Sequence, residues 1–184
     1  MNGLLNRDDA ALLVIDVQNK INAVMASQEH LPRIEVLVEA CQSLEVPVLA
    51  SEQYPQGLGP TVEGLAALLG NTPPAKLTFS CARDAELRTE VENSGCQQIV
   101  VSGIEAHVCV LQTALDLLSD GYEVFVPHDA VNSRRPVDKE WALQRMAAAG
   151  AVITSTESAL FEIVERCDTA DFKTVAKLIK KIPV

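Results

Sequence analysis

Ala10-Ala-Leu-Leu-Val-Ile15 is an unbroken apolar run of strand length that ends in a carboxylate, Asp16. A run without alternation suits a strand covered on both faces, as in a parallel sheet. The next stretch changes period: Ile34, Leu37, Val38, Cys41 and Leu44 recur at three- and four-residue spacing, the mark of a helix with one apolar stripe. The two patterns then take turns. Further strands are predicted over 46–51, 75–79, 98–102, 123–127 and 152–154. Further helices are predicted over 61–69, 84–93, 107–120, 138–149, 156–166 and 172–180. Pro73-Pro74 forces extended backbone ahead of the third strand. No hairpin signal interrupts the series, so the chain reads as one α/β domain over residues 1–184, three layers around a parallel sheet.

Composition bounds the function. At 48% hydrophobic residues over 184 positions the chain has ample material for a core, which excludes a disordered segment. Fifteen Lys and Arg against 25 Asp and Glu leave a formal charge of −10, so no nucleic-acid partner is expected. Five cysteines, an odd number without a C-x-x-C pair, fit reduced thiols in a cytosol. Residues 1–10 lack an apolar h-region, and no apolar run nearby is long enough to span a membrane; a cytoplasmic protein is expected. No Gly-rich phosphate loop occurs, so no nucleotide cofactor is expected. His30, His107 and His128 show no metal-ligand spacing, so no metal is expected either.

In parallel sheets, ligands bind beyond the carboxyl ends of strands, where strand order reverses. Three reactive side chains fall there: Asp16 after the first strand, Lys76 in the third and Cys109 shortly after the fourth. The helix that Cys109 opens is expected to bury Val108, Leu111, Leu115 and Leu118. Cys109 then falls on the other row, with Gln112, Thr113 and Asp116. A thiol in a first helical turn meets free N–H groups, which lower its pKa. His107 lies two positions from Cys109, and such residues do not face each other on a helix. Each residue also has an ordinary reading: a turn-capping carboxylate, a surface lysine, an idle helix-start thiol.

Leu-Leu-Val-Ile-Asp16-Val-Gln18, Lys76-Leu-Thr-Phe-Ser80 and Gly103-Ile-Glu-Ala-His-Val-Cys109-Val110 together resemble the signature segments of isochorismatase-like cysteine hydrolases. The resemblance runs from about Asp9 to Lys180, and Tyr54-Pro-Gln-Gly-Leu-Gly-Pro60 points to the compact isochorismatase-domain subgroup. It implies a mainly parallel six-stranded sheet in order 3-2-1-4-5-6. It also implies an Asp16–Lys76–Cys109 triad, an oxyanion hole from the backbone N–H groups of Glu105 and Cys109, and a cis peptide between Ile104 and Glu105. The implied chemistry is metal-independent hydrolysis of a small amide, ester or related substrate through a thioester, with no cofactor and with a homo-oligomeric assembly. Gln18, Tyr54 and His107 flank the strand ends where the triad converges and are expected to line the pocket.

The sequence departs from parts of the family. Nicotinamidases in the superfamily carry an Asp-x-His metal site where this chain reads Ser51-Glu-Gln-Tyr54, and isochorismate-cleaving enzymes lack the cysteine. Ala106 stands where relatives often have Thr. A non-catalytic binding or regulatory protein on the same scaffold is the alternative, and a redox-sensing thiol, with Cys81 as a partner in space, is a third reading.

Overall fold

The computed structural model describes residues 3–183; Met1, Asn2 and Val184, the outer ends of the single-domain reading, lie outside the described residues. β1 (Ala10–Ile15) is buried along its whole length. Its pleat explains the unbroken apolar run. Leu12 and Val14 join one core, Ala11, Leu13 and Ile15 the other, because successive side chains leave a strand on opposite faces.

β1 is flanked by β2 (Val48–Gln53) and β4 (Gln98–Ile104), both parallel to it. β3 (Ala75–Lys76) continues beyond β2, while β5 (Glu123–Pro127) and β7 (Val152–Thr154) continue beyond β4. The path is therefore β3-β2-β1-β4-β5-β7, with strand order reversing between β1 and β4. α2 (His30–Ser43), α4 (Glu63–Leu69), α8 (Thr156–Val164) and α9 (Ala170–Ile179) supply the core on one face. α5 (Ala85–Ser94), α6 (Leu111–Ser119) and α7 (Pro136–Ala148) supply it on the other. No helix among the described residues is long and apolar enough to cross a membrane.

The three-layer parallel architecture and the order of its six main strands agree with the sequence reading. Three details differ. A seventh strand, β6 (Val131–Asn132), pairs with the end of β4, Gly103 opposite Val131 and Ile104 opposite Asn132. The third strand stops at Lys76 rather than at Phe79, because the chain folds back until Phe79 O accepts a hydrogen bond from Lys76 Nζ. Two single turns, α1 (Asn19–Asn22) and α3 (Pro55–Leu58), form in stretches too short to carry a periodic signal.

One glycine is dictated by this packing. Gly103 lies opposite Ile15 with φ +114°, and a Cβ there would collide with the Ile15 carbonyl. The close approach holds β4 against β1 one residue before Asp16.

Candidate active site

At the end of β1 the backbone turns through Asp16, a non-glycine residue at φ 54°. Asp16 N–H still donates to Ser51 O at 3.1 Å, so the turn starts from the sheet ladder. The carboxylate ends up buried, with Oδ1 accepting from Ser51 Oγ at 2.8 Å and Oδ2 from Lys76 Nζ at 2.6 Å.

Lys76 is 1% exposed, among the largest side chains so deeply buried. Its ammonium has three protons and three acceptors: Asp16 Oδ2, Gln53 Oε1 at 2.8 Å and Phe79 O at 3.2 Å. Burial by itself lowers a lysine's pKa, but contact with the Asp16 charge opposes it, and the Lys76 pKa is raised. Desolvating such a pair costs several kcal/mol per ion, offset only when every remaining donor finds an acceptor. That condition holds for this lysine.

Cys109 lies in a π-helical turn (Ala106–Val110) that leads into α6, where the sequence predicted a plain α-helix from His107. The burial pattern corrects the predicted faces. Ala106, Cys109, Val110, Thr113, Ala114 and Leu117 are buried; of the four residues expected inside, Leu111 is buried as well, whereas Val108, Leu115 and Leu118 are only partly buried at the flanks. Small side chains let the turn approach the sheet closely, and the larger ones close over the edges. Cys109 thus faces inward, toward Asp16.

Burial raises the Cys109 pKa, the Asp16 charge and a hydrogen bond to Asp16 raise it further, and Lys76 only partly opposes them. The expected helix-start lowering is overturned: the resting side chain is a protonated thiol beside a carboxylate. Ile104–Glu105 is cis. The Glu105 carbonyl accepts from the N–H groups of Val108 and Val110, on either side of Cys109. The Glu105 carboxylate is buried and accepts from Arg134 N–H at 3.1 Å and Arg134 Nε at 2.9 Å.

The three residues expected to line the pocket behave differently from one another. Gln18 is fully buried, and its amide is spent on backbone: Nε2 donates to Gln53 O and Gly59 O, and Oε1 accepts from Gln53 N–H. It braces the loop after β2 and does not line an opening. Tyr54 is half exposed, its ring over Gly57. His107 is partly exposed, with Nδ1 3.0 Å from Ser133 Oγ and Nε2 4.0 Å from Asp138.

Ser51 and Gln53 carried no sequence signal and stand beside the triad, as does Cys81, which the sequence offered only as a redox partner. Cys81 Sγ donates to Ser51 Oγ at 3.5 Å, and Cys81 N–H donates to Thr113 Oγ1 at 3.0 Å. Burial and Asp16 push the Cys81 thiol up to about 11. Two thiols held protonated react slowly with peroxide, so the geometry that brings Cys81 near does not favour a redox sensor. A groove of about 550 Å³ lies away from the triad, along Val48–Ala50 and Asn93. Trp141, the one tryptophan, is 64% exposed on α7.

The isochorismatase domain family matches residues 10–158. Isochorismatase family protein 1A of Dictyostelium discoideum is 33% identical over 96% of this chain and 88% of its own length. The solved structure of MAR1 ribonuclease from Caenorhabditis elegans superposes with a TM-score of 0.90 at 36% identity, over 98% of this chain and 95% of that one. The YcaC gene product of Escherichia coli, described as an octameric hydrolase of unknown specificity, superposes with a TM-score of 0.91 over 97% of this chain and 90% of that one. At 23% identity that likeness speaks to the fold alone.

Proposed function

The chain belongs to the isochorismatase family, a hydrolase family by kind, and from that premise we propose that it is a metal-independent cysteine hydrolase of a small amide, ester or related substrate. The observation that carries the reading is the inward-facing Cys109 thiol directed at a carboxylate that Lys76 keeps anchored. Asp16 takes the thiol proton as sulfur attacks the carbonyl carbon. Charge on the carbonyl oxygen is met by the backbone N–H groups of Glu105 and Cys109. Collapse expels the amine or alcohol, which leaves with the proton from Asp16, and a thioester remains. Asp16 then deprotonates a water, whose attack releases the acid and returns the proton to sulfur. Lys76 has no proton to spare, so it acts as a positioning residue for Asp16.

A raised thiol pKa fits this scheme. Proton transfer is coupled to attack, so a resident thiolate is unnecessary, and the idle enzyme is shielded from oxidation. His107, which meets Ser133 and Asp138, and the exposed Tyr54 border the opening. Exposed Val137 and Trp141, one helical turn apart on α7, suit contact between copies in a homo-oligomer. Free thiols, four of the five buried, suit a reducing cytoplasm. RNA is disfavoured as a substrate by the −10 charge.

A screen of small amides and esters, run on the wild type, on Cys109→Ala and with chelator, tests the reading. Turnover that survives chelator and falls at least about a thousandfold in Cys109→Ala is expected. Turnover unchanged in that variant overturns the nucleophile, and loss with chelator overturns metal independence. Ligand binding that persists in Cys109→Ala, with no wild-type turnover, identifies a non-catalytic binding protein.

A further inference from the structure

A carboxylate that accepts a proton from Cys109 must present one oxygen to sulfur and must not rotate. Lys76 fixes Oδ2 only. The rest of the constraint comes from β2, where Ser51 and Gln53 stand two residues apart, so the pleat turns both toward one face. That face carries the ion pair: Ser51 Oγ donates to Asp16 Oδ1 at 2.8 Å, and Gln53 Oε1 accepts from Lys76 Nζ at 2.8 Å. The strand end offers a donor to the anion and an acceptor to the cation at matched spacing.

The Ser51 hydroxyl is itself aimed. Cys81 Sγ donates to Ser51 Oγ at 3.5 Å, which leaves the serine proton to go to Asp16. Cys81 is held in turn by its N–H on Thr113 Oγ1, one helical turn beyond Cys109 on the same buried row. With its pKa raised by burial, Cys81 remains a donor throughout the neutral range. The line Cys81 to Ser51 to Asp16 therefore runs in one direction, and it ties the aim of the carboxylate to the helix that holds the thiol.

We propose that Ser51 is the positioning residue that aims Asp16, its hydroxyl oriented by Cys81 and anchoring Oδ1, while Gln53 seats Lys76 from the same strand. The meaning of that aim, proton transfer from Cys109, rests on the hydrolase reading; the geometry of Ser51 does not. The titratable groups that face Asp16 are Lys76, Cys81 and Cys109; a change at Ser51 leaves the Lys76 contact to Oδ2 in place and removes only the acceptor of the Cys81 thiol.

The test uses the full chain with carbon-13 in the aspartate carboxyls, the Asp16 resonance being assigned with Asp16→Asn. Ser51→Ala removes the hydrogen bond to Oδ1, so the Asp16 carboxyl carbon resonance at neutral pH moves away from its wild-type position. On a substrate from the amide and ester screen, kcat falls about tenfold with KM unchanged. Ser51→Thr, which keeps the hydroxyl on a β-branched strand residue, restores both. Ser51→Cys, close in shape with a weaker donor, falls between them and serves if the alanine variant does not fold. A resonance that stays put in Ser51→Ala or Ser51→Cys, or a threonine variant that fails to restore it, overturns the proposal even if thermal stability drops. A displaced resonance in a protein whose wild type turns over no substrate leaves Ser51 its role and removes the hydrolase reading instead.

Discussion

Two buried basic side chains in this protein meet opposite fates. Lys76 keeps its charge beneath the sheet rim. His30, 2% exposed at the start of α2, has its pKa lowered to about 4 by burial, with Lys139 adding to the effect. Burial disfavours the charged form of both, so the neighbours decide. Lys76 touches a carboxylate at 2.6 Å and two neutral oxygens. His30 touches only amides, with Nε2 2.8 Å from Asn22 Oδ1 and Nδ1 3.1 Å from Asn132 Nδ2. Those contacts suit one neutral tautomer, Nε2–H donating to Asn22 and Nδ1 accepting from Asn132. A buried cation persists where a full counter-charge is in contact, and gives way to neutrality where only dipoles are offered.

The most severe way to break the contrast is Lys76→Met. It leaves the Asp16 carboxylate buried with its main partner gone, at an expected cost of about 3–5 kcal/mol in denaturant unfolding. Adding Asp16→Asn removes the stranded charge. The double variant is therefore expected to be more stable than Lys76→Met alone, a non-additivity that a double-mutant cycle measures directly. Two costs that simply add would mean that the ion pair does not hold Lys76 in its charged form.

The His30 side of the contrast is tested with acid. Its folded-state pKa, about 4, lies below the ordinary 6.5, so the unfolded chain takes up a proton that the folded chain refuses. Stability is complete above the upper value and is lost as pH falls through this window, by up to about 3 kcal/mol at its foot. His30→Gln, neutral at every pH, is expected to remove that part of the slope from urea unfolding curves measured across the window. A slope unchanged by the substitution would show that the histidine titrates freely.

The same contrast explains what could be read in advance. β1 was legible because burial on both faces writes itself as an unbroken apolar run. Asp16, Lys76 and Cys109 stood out through position and resemblance, and their convergence follows from β1 and β4 being neighbours at the reversal of strand order. The face of Cys109 was misread because a row of leucines passes for a core stripe, whereas the sheet here takes the small side chains. Ser51 and Gln53 were not legible, and Cys81 was legible as a neighbour of the thiol but not as a donor to Ser51. A serine and a glutamine in a strand are unremarkable until partners 35 and 23 residues away are known, and a cysteine in a loop shows no direction. Nor did His30 show its role, since Asn132, 102 residues on, arrives through β6, a strand of two residues.

The smallest expected effect on stability sharpens the contrast most. Asn22→Asp places a carboxylate where His30 Nε2 now finds an amide oxygen, giving the histidine the kind of partner that Lys76 has. Some stability is lost locally, because Asn22 Nδ2 donates to Gln28 Oε1 at 2.7 Å and a carboxylate cannot. Gln28 can turn its amide to donate instead, but its Nε2 then gives up Asn22 O, now 2.9 Å away. The new ion pair offsets part of that loss, so a net change at neutral pH within about 1 kcal/mol is expected. The titration responds far more. An opposite charge in contact favours the imidazolium, so the His30 midpoint, followed by its ring proton resonances, is expected to rise by more than about one unit. The cation also needs an acceptor at Nδ1, which Asn132 supplies only by turning its amide, at the expense of the bond from Ser133 N–H to Oδ1 at 2.9 Å. That secondary cost keeps the midpoint below what the carboxylate alone would produce. A midpoint that stays near 4 in Asn22→Asp would mean that depth of burial outweighs the counter-charge, and the charge on Lys76 would then need a cause other than its contact with Asp16.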